Sequence, residues 1–349
     1  MTYKDTLFFV GKCLTINHEE HNRIDVEKEL KAGLVNWDNV VKVSTSHYVF
    51  PALYCNLKRA NFLDYLPNDL VEYMQHITDL NRERNEQIIE QAKEINELLL
   101  ENNITPIFLK GTGNLLSSLY NDIAERMVGD IDFLVDEDNF LKTAKLLENN
   151  KYEKTSKRLT SPIYKKHYPR LFNENKISAV EVHIEMLRDK ASKTFNYKII
   201  NDNTFNIGNL NFLSLKDQLT LTTMAIQHND YGFFYKSISL RNSYDIFLMS
   251  RKENNLECIN SYRSFYPLLN SYFALTSEIL NTNYVKYRTD LKIKFYLKFI
   301  DLKLSFDSFN KIHYKLCKVS LYIVQKVQGL FRFIRVKEFR RYYIKKLFS

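Results

Sequence analysis

The stretch "FLKGTGNLLSSLYNDIAERMVGDIDFLVDEDNF", residues 108–140, decides how the chain is read. Gly111 and Gly113 stand near its start, and Asp130 and Asp132 sit inside an apolar run. Aspartate is depleted in strands, and a charge is almost never left unpaired in a core. "GDIDFLV" nevertheless has the length and apolar content of a strand, read over 130–135. Successive side chains on a strand face opposite ways, so Asp130 and Asp132 share one face and Ile131 and Phe133 the other. Two carboxylates that close repel unless a cation sits between them. A divalent metal supplies such a cation. Carboxylate oxygens suit Mg²⁺, which keeps several waters and borrows ligands from substrate phosphates.

A second alternating run, "SAVEVHIEML" (178–187), sends Val180, Val182 and Ile184 one way and Glu181, His183 and Glu185 the other. If the two strands are neighbours, Glu181 completes a three-carboxylate cluster able to hold two ions around an in-line attack on phosphorus. His183, on the same polar face, is a candidate acceptor contact or the partner of a neighbouring carboxylate, and His167 is comparable.

"LKGTGN" closes a strand at about 105–109 and leads into helical turns at 112–120. There Gly111 and Gly113 allow backbone N–H groups close to a phosphate, Thr112 adds a hydroxyl and Lys110 a point charge. No G-K-[ST] follows, so the spacing is not that of a Walker loop. A tight strand-to-helix turn is the competing reading. Arg126 either neutralises phosphate charge or pairs with Glu125 or Asp122 at the surface. His228, Arg241 and Asp245 read as helix-terminus and packing residues.

Outward from this centre the chain is helical. Residues 1–100 carry Leu34, Trp37, Val40 and Val41 at helical spacing. A long helix over about 69–102 has Ile77, Leu80, Ile88, Ile95 and Leu98 as its apolar stripe. "DEDNFLKTAKLLENNKY" is a helix with acids in its first turn, and "YEKTSKR" and "IYKKHYPRLFN" are strands. "SLKD" at 214–217 has the form of a helix start, and amphipathic helices run to the end. The expected class is α+β: a small mixed sheet flanked by N- and C-terminal helical regions.

Composition bounds the function classes. The chain has 349 residues, 45% apolar and 26% charged. The four cysteines stand singly, without metal-ligand or C-x-x-C spacing, and read as reduced structural thiols. No apolar run is long enough to span a membrane and the N-terminus lacks a signal-peptide pattern, so a cytoplasmic location is expected. The net charge of +9 is uneven: residues 311–349 hold eleven Lys/Arg and one acid, Glu338. The body is therefore neutral, which opposes a nucleic-acid groove. The basic tail, with Val327, Leu330, Phe331, Ile334 and Phe339 interleaved, has the composition of an amphipathic helix at an anionic membrane or an acidic partner. A helix docked on the body, or a holder for a polyanionic acceptor, are the other readings.

"LKGTG", "LY" at 119–120, Arg126, "GDIDFLV", His167 and "VEVH" at 180–183 together resemble the uncharacterised bacterial nucleotidyltransferase family of the polymerase-β-like superfamily. "NWDNVVKVSTSHYVFPALYCNLKR" upstream and "SLKD", "QH" and "LRNSYDIFLM" downstream extend the resemblance over roughly residues 5–250. With the pattern along the chain, it divides the sequence into a helical region at 1–103, a nucleotidyltransferase core at 104–210 and a helical region with the basic tail at 211–349. The resemblance implies transfer of a nucleoside monophosphate from an NTP to an unknown acceptor hydroxyl, with pyrophosphate released. Asp130 and Asp132 would hold Mg²⁺, two ions in all or Mn²⁺ in their place, with Glu181 as third carboxylate. Gly111 and Thr112 stand near the superfamily's Gly-Ser turn. Gly-Thr for Gly-Ser, and Glu for the more usual Asp, are departures. The alternative is a catalytically silent relative that binds nucleotide or a partner.

Overall fold

The computed structural model describes residues 1–155, 166–337, 339–341 and 344. The architecture is α+β, with helical N- and C-terminal regions around a mixed seven-stranded sheet. The strands are β1 (Ile107–Phe108), β2 (Asp130–Leu134), β3 (Glu153–Lys154), β4 (Leu171–Phe172), β5 (Ala179–His183), β6 (Phe205–Ile207) and β7 (Leu210–Phe212). Their spatial order is β3-β4-β5-β2-β1-β7-β6. β2 and β5 run parallel, and the helix Glu137–Asn149 lies between them in sequence, as a parallel pairing requires. The strand readings over 152–158 and 163–173 survive as β3 and β4; their portions at 156–165 lie outside the described residues.

The apolar phase of the two central strands builds the core. Ile131, Phe133, Val180 and Val182 are fully buried on one face. Phe133 meets Phe108 of β1 edge-on, and Phe108 in turn packs on Phe212 of β7. The polar phase of β2 and β5 is left for the site.

Two helical expectations change. The helix Glu20–Lys31 stops before Gly33, which has a φ of 63°, and a new helix, Trp37–Ser46, starts under an Asn36 cap. Leu34 lies in the break and is 69% exposed, so the spacing 34–41 spans a turn. In the long helix Asn68–Glu101, Leu80 is exposed, and the buried line runs through Met74, Thr78, Asn81, Asn85, Ile88, Ala92, Ile95 and Leu99. Two of those positions are asparagines, which a search for apolar stripes passes over. Asn81 and Asn85 both donate to the Arg126 carbonyl, and Gln91 brackets Ser178 by donating to its carbonyl and accepting from its N–H. A buried amide costs free energy unless paired, and these pairs tie the helix to the segments entering β2 and β5.

Candidate active site

β2 and β5 are in register with Asp132 opposite Glu181 and Leu134 opposite His183. Period-two alternation then stacks the polar side chains of both strands on one face. Asp132, Glu181 and His183 offer one ligand atom each, all within 4.8 Å of one another. Asp132 Oδ1 accepts from His183 Nε2 at 2.7 Å and from Lys110 Nζ at 2.5 Å. Glu181 Oε2 lies 3.5 Å from His183 Nε2 and 4.0 Å from Lys110 Nζ. An ammonium thus lies against the two carboxylates, where the sequence called for a cation.

Lys110 gets there by an uncommon backbone conformation. Its φ is +52°, a left-handed region that costs a non-glycine residue free energy unless its surroundings enforce it. Gln218, on the helix Leu215–Met224, donates to the Lys110 carbonyl at 3.0 Å and to Asn114 Oδ1 at 2.8 Å. Thr112 Oγ1 donates to the Asp130 carbonyl at 2.7 Å, fastening the turn to the start of β2. Ser214 caps its own helix as "SLKD" led one to expect, accepting from the Asp217 N–H.

The charges reinforce one another. Burial alone would raise the pKa of Asp132, but Lys110 and His183 outweigh it and hold the carboxyl well below its ordinary range. Burial would lower that of Lys110, but Asp132 raises it above the usual lysine value. Glu181 is also lowered against the effect of burial, first by its hydrogen bond from His183. Asp130 goes the other way: burial raises it, with Asp132 and Glu181 adding, although Arg170 pairs with it. Lys166, half-buried and near Lys110, is brought down to about 8 by the loss of water around it, with Lys110 adding.

Of the expected carboxylates, the strand pairing brings Asp132 and Glu181 together. Asp130 is held by Arg170, just before β4, and His183 stands in the tight cluster instead. Alternation alone showed His183 on the right face; Arg170, inside a segment read only as a strand, had no separate signal. Arg126 pairs with neither Glu125 nor Asp122. It is 7% exposed and bound to Asp245, with Nη2 3.0 Å and Nε 3.1 Å from Oδ2. Tyr120 donates to the other oxygen of Asp245 at 2.7 Å. Glu125 and Asp122 are taken by Arg59 and Arg82.

The glycines serve packing. A Cβ on Gly113 would stand 2.8 Å from the Phe108 carbonyl oxygen, and one on Gly111 would press on Val128 at 3.1 Å and Arg126 at 3.4 Å. The space a side chain would need at Gly111 therefore lies inward, toward the buried arginine. Gly113→Ala is expected to push the turn off β1 and to cost about 1–3 kcal/mol, read as a lowered melting temperature. An unchanged melt would mean that β1 yields without cost.

A family model described as "Uncharacterised nucleotidyltransferase" matches residues 34–262, well over half of the chain. No curated protein and no solved structure matches it.

Proposed function

The chain belongs to the uncharacterised nucleotidyltransferase family, and on that premise we propose that it moves a nucleoside monophosphate from an NTP to an acceptor hydroxyl and releases pyrophosphate. The observation carrying this reading is the register pair Asp132–Glu181 with the Lys110 ammonium against it. The donor set fits a divalent ion. Asp132 and Glu181 supply hard oxygens that suit Mg²⁺ or Mn²⁺, and Asp130 lies on the same strand face, while the His183 N–H is already given to Asp132. Bound there, such an ion would polarise the phosphoryl oxygens and offset their negative charge.

In the transfer, the acceptor oxygen bonds to the α-phosphorus, the bond from that phosphorus to the pyrophosphate oxygen breaks, and the hydroxyl proton must be taken up. Asp132 is already committed to Lys110 and His183 and stays ionised. Glu181 is more open, with only the longer contacts to the same two groups, and is suited to accept the proton. His183, fully buried, orients Asp132 by donating from Nε2. Lys110, with Lys166 nearby, supplies positive charge for the phosphates.

The test incubates the purified protein with each α-labelled NTP, with Mg²⁺ or Mn²⁺, and a cell lysate as acceptor source, following label transfer and pyrophosphate. Transfer that needs metal supports the reading. Metal-dependent nucleotide binding with no turnover for any NTP would assign the chain to the silent alternative. Lys110→Met is expected to weaken NTP binding about tenfold to a hundredfold, the worth of one charged hydrogen bond. Calorimetry that finds unchanged affinity would remove Lys110 from phosphate binding.

A further inference from the structure

The tail helix Asp307–Arg335 is 29 residues long, about 43 Å at the usual rise. Its first turns are anchored. Phe309 and His313 pack on Phe299, Tyr314 on Tyr235, and Cys317 is buried with its thiol toward the Phe234 carbonyl. Further along, the large apolar side chains Ile323, Val324, Val327, Leu330, Phe331 and Ile334 are all about half exposed or more. Counting back, Ile312, Leu316 and Val319 join Ile323, Leu330 and Ile334 at steps of three, four and seven residues, which lie on one helical face. No acid occurs between Asp307 and Glu338, whereas Lys311, Lys315 and Lys318 lie along one flank of that stripe and Lys326, three residues after Ile323 and four before Leu330, sits at its edge.

We propose that this helix docks the protein on an anionic lipid surface, lying in the interface with its apolar stripe inward and its lysines among the headgroups. The charge pattern selects this occupant. Pairing the stripe with a second copy would set lysine against lysine with no acid to answer it, whereas a bilayer bearing negative headgroups offers both the apolar floor and the counter-charge. The preceding helix, Leu291–Ser305, adds exposed Leu291 and Phe295, and Phe306 at the joint is exposed as well. No helix among the described residues is long and apolar enough to cross a membrane, so the geometry is that of a helix lying on the surface.

The experiment is co-sedimentation of the full chain with vesicles of phosphatidylcholine alone, or mixed with phosphatidylglycerol, at low and high salt. Binding is expected only to the mixed vesicles and is expected to fall with salt. Replacing Lys315, Lys318 and Lys326 together by glutamine should weaken it roughly a hundredfold, each lysine near such a surface acting independently. Ile323→Asn with Leu330→Asn should abolish it, while an unchanged melting temperature shows that the body is intact. The proposal is overturned if the chain ignores anionic vesicles or if the apolar variant binds as well as the wild type. It is overturned equally if light scattering finds a dimer that the apolar variant dissolves, making the stripe a contact between copies. Soluble polyphosphate is the remaining arm. If it displaces the protein completely while the apolar substitutions have no effect, the tail is a polyanion site and not a lipid anchor.

Discussion

Asp132→Asn is expected to lower nucleotidyl transfer by roughly a thousandfold or more while the chain stays folded. The substitution keeps the side chain's shape and removes the charge on which the site converges. Asp132 Oδ1 is the shared acceptor for Lys110 and His183, and its register partner is Glu181. An amide cannot match a carboxylate as a ligand for a hard divalent ion. The fold should tolerate the change because Glu181 remains within reach of both Lys110 and His183. The residue is only 8% exposed, however, so some loss of stability accompanies the loss of activity. Pyrophosphate release and a thermal melt, measured on the same preparation, separate the two effects. Retained turnover would remove Asp132 from the chemistry and with it the proposed mechanism.

Arg126→Ala is expected to be the most damaging substitution to the fold, at about 3–5 kcal/mol. The cost lies in what remains behind. Asp245 is 1% exposed and would keep Tyr120 as its partner but lose the guanidinium that compensates its charge. The same arginine lies under Gly111 and donates to the Met127 carbonyl, so the turn bearing Lys110 loses its floor. The melting temperature should fall by roughly ten degrees. Replacing both members by apolar residues, Arg126→Met with Asp245→Leu, should recover part of that loss, because the carboxylate left without its guanidinium is removed as well, while Arg241 and Tyr120 lose Asp245 as a partner. A single variant that melts like the wild type would mean that the pair is weak despite its burial.

Local pattern carried a good part of the site. A strand has a period of two whatever surrounds it, so the shared faces of Asp130 with Asp132 and of Glu181 with His183 could be read directly. The helix start at Ser214 is likewise a matter of a few neighbouring residues. The apolar residues Leu34 and Leu80 misled because hydrophobic spacing says which face could be buried, and a chain break or a buried asparagine can claim that face instead.

The sequence by itself determined the class of fold, the two acid-bearing strands and the residue types converging on a cation. The tertiary structure alone decided which partners meet. Lys110 reaches Asp132 across 22 residues, His183 reaches it across 51, and Arg126 reaches Asp245 across 119. Arg170 answers Asp130, and Arg126 turns inward to Asp245 rather than to Glu125 or Asp122 at the surface. The physical reason is that alternation and capping are fixed by neighbours in the chain. The choice of ion-pair partner depends on which charges packing removes from water, and an ion so removed must take whichever opposite charge the fold brings within reach.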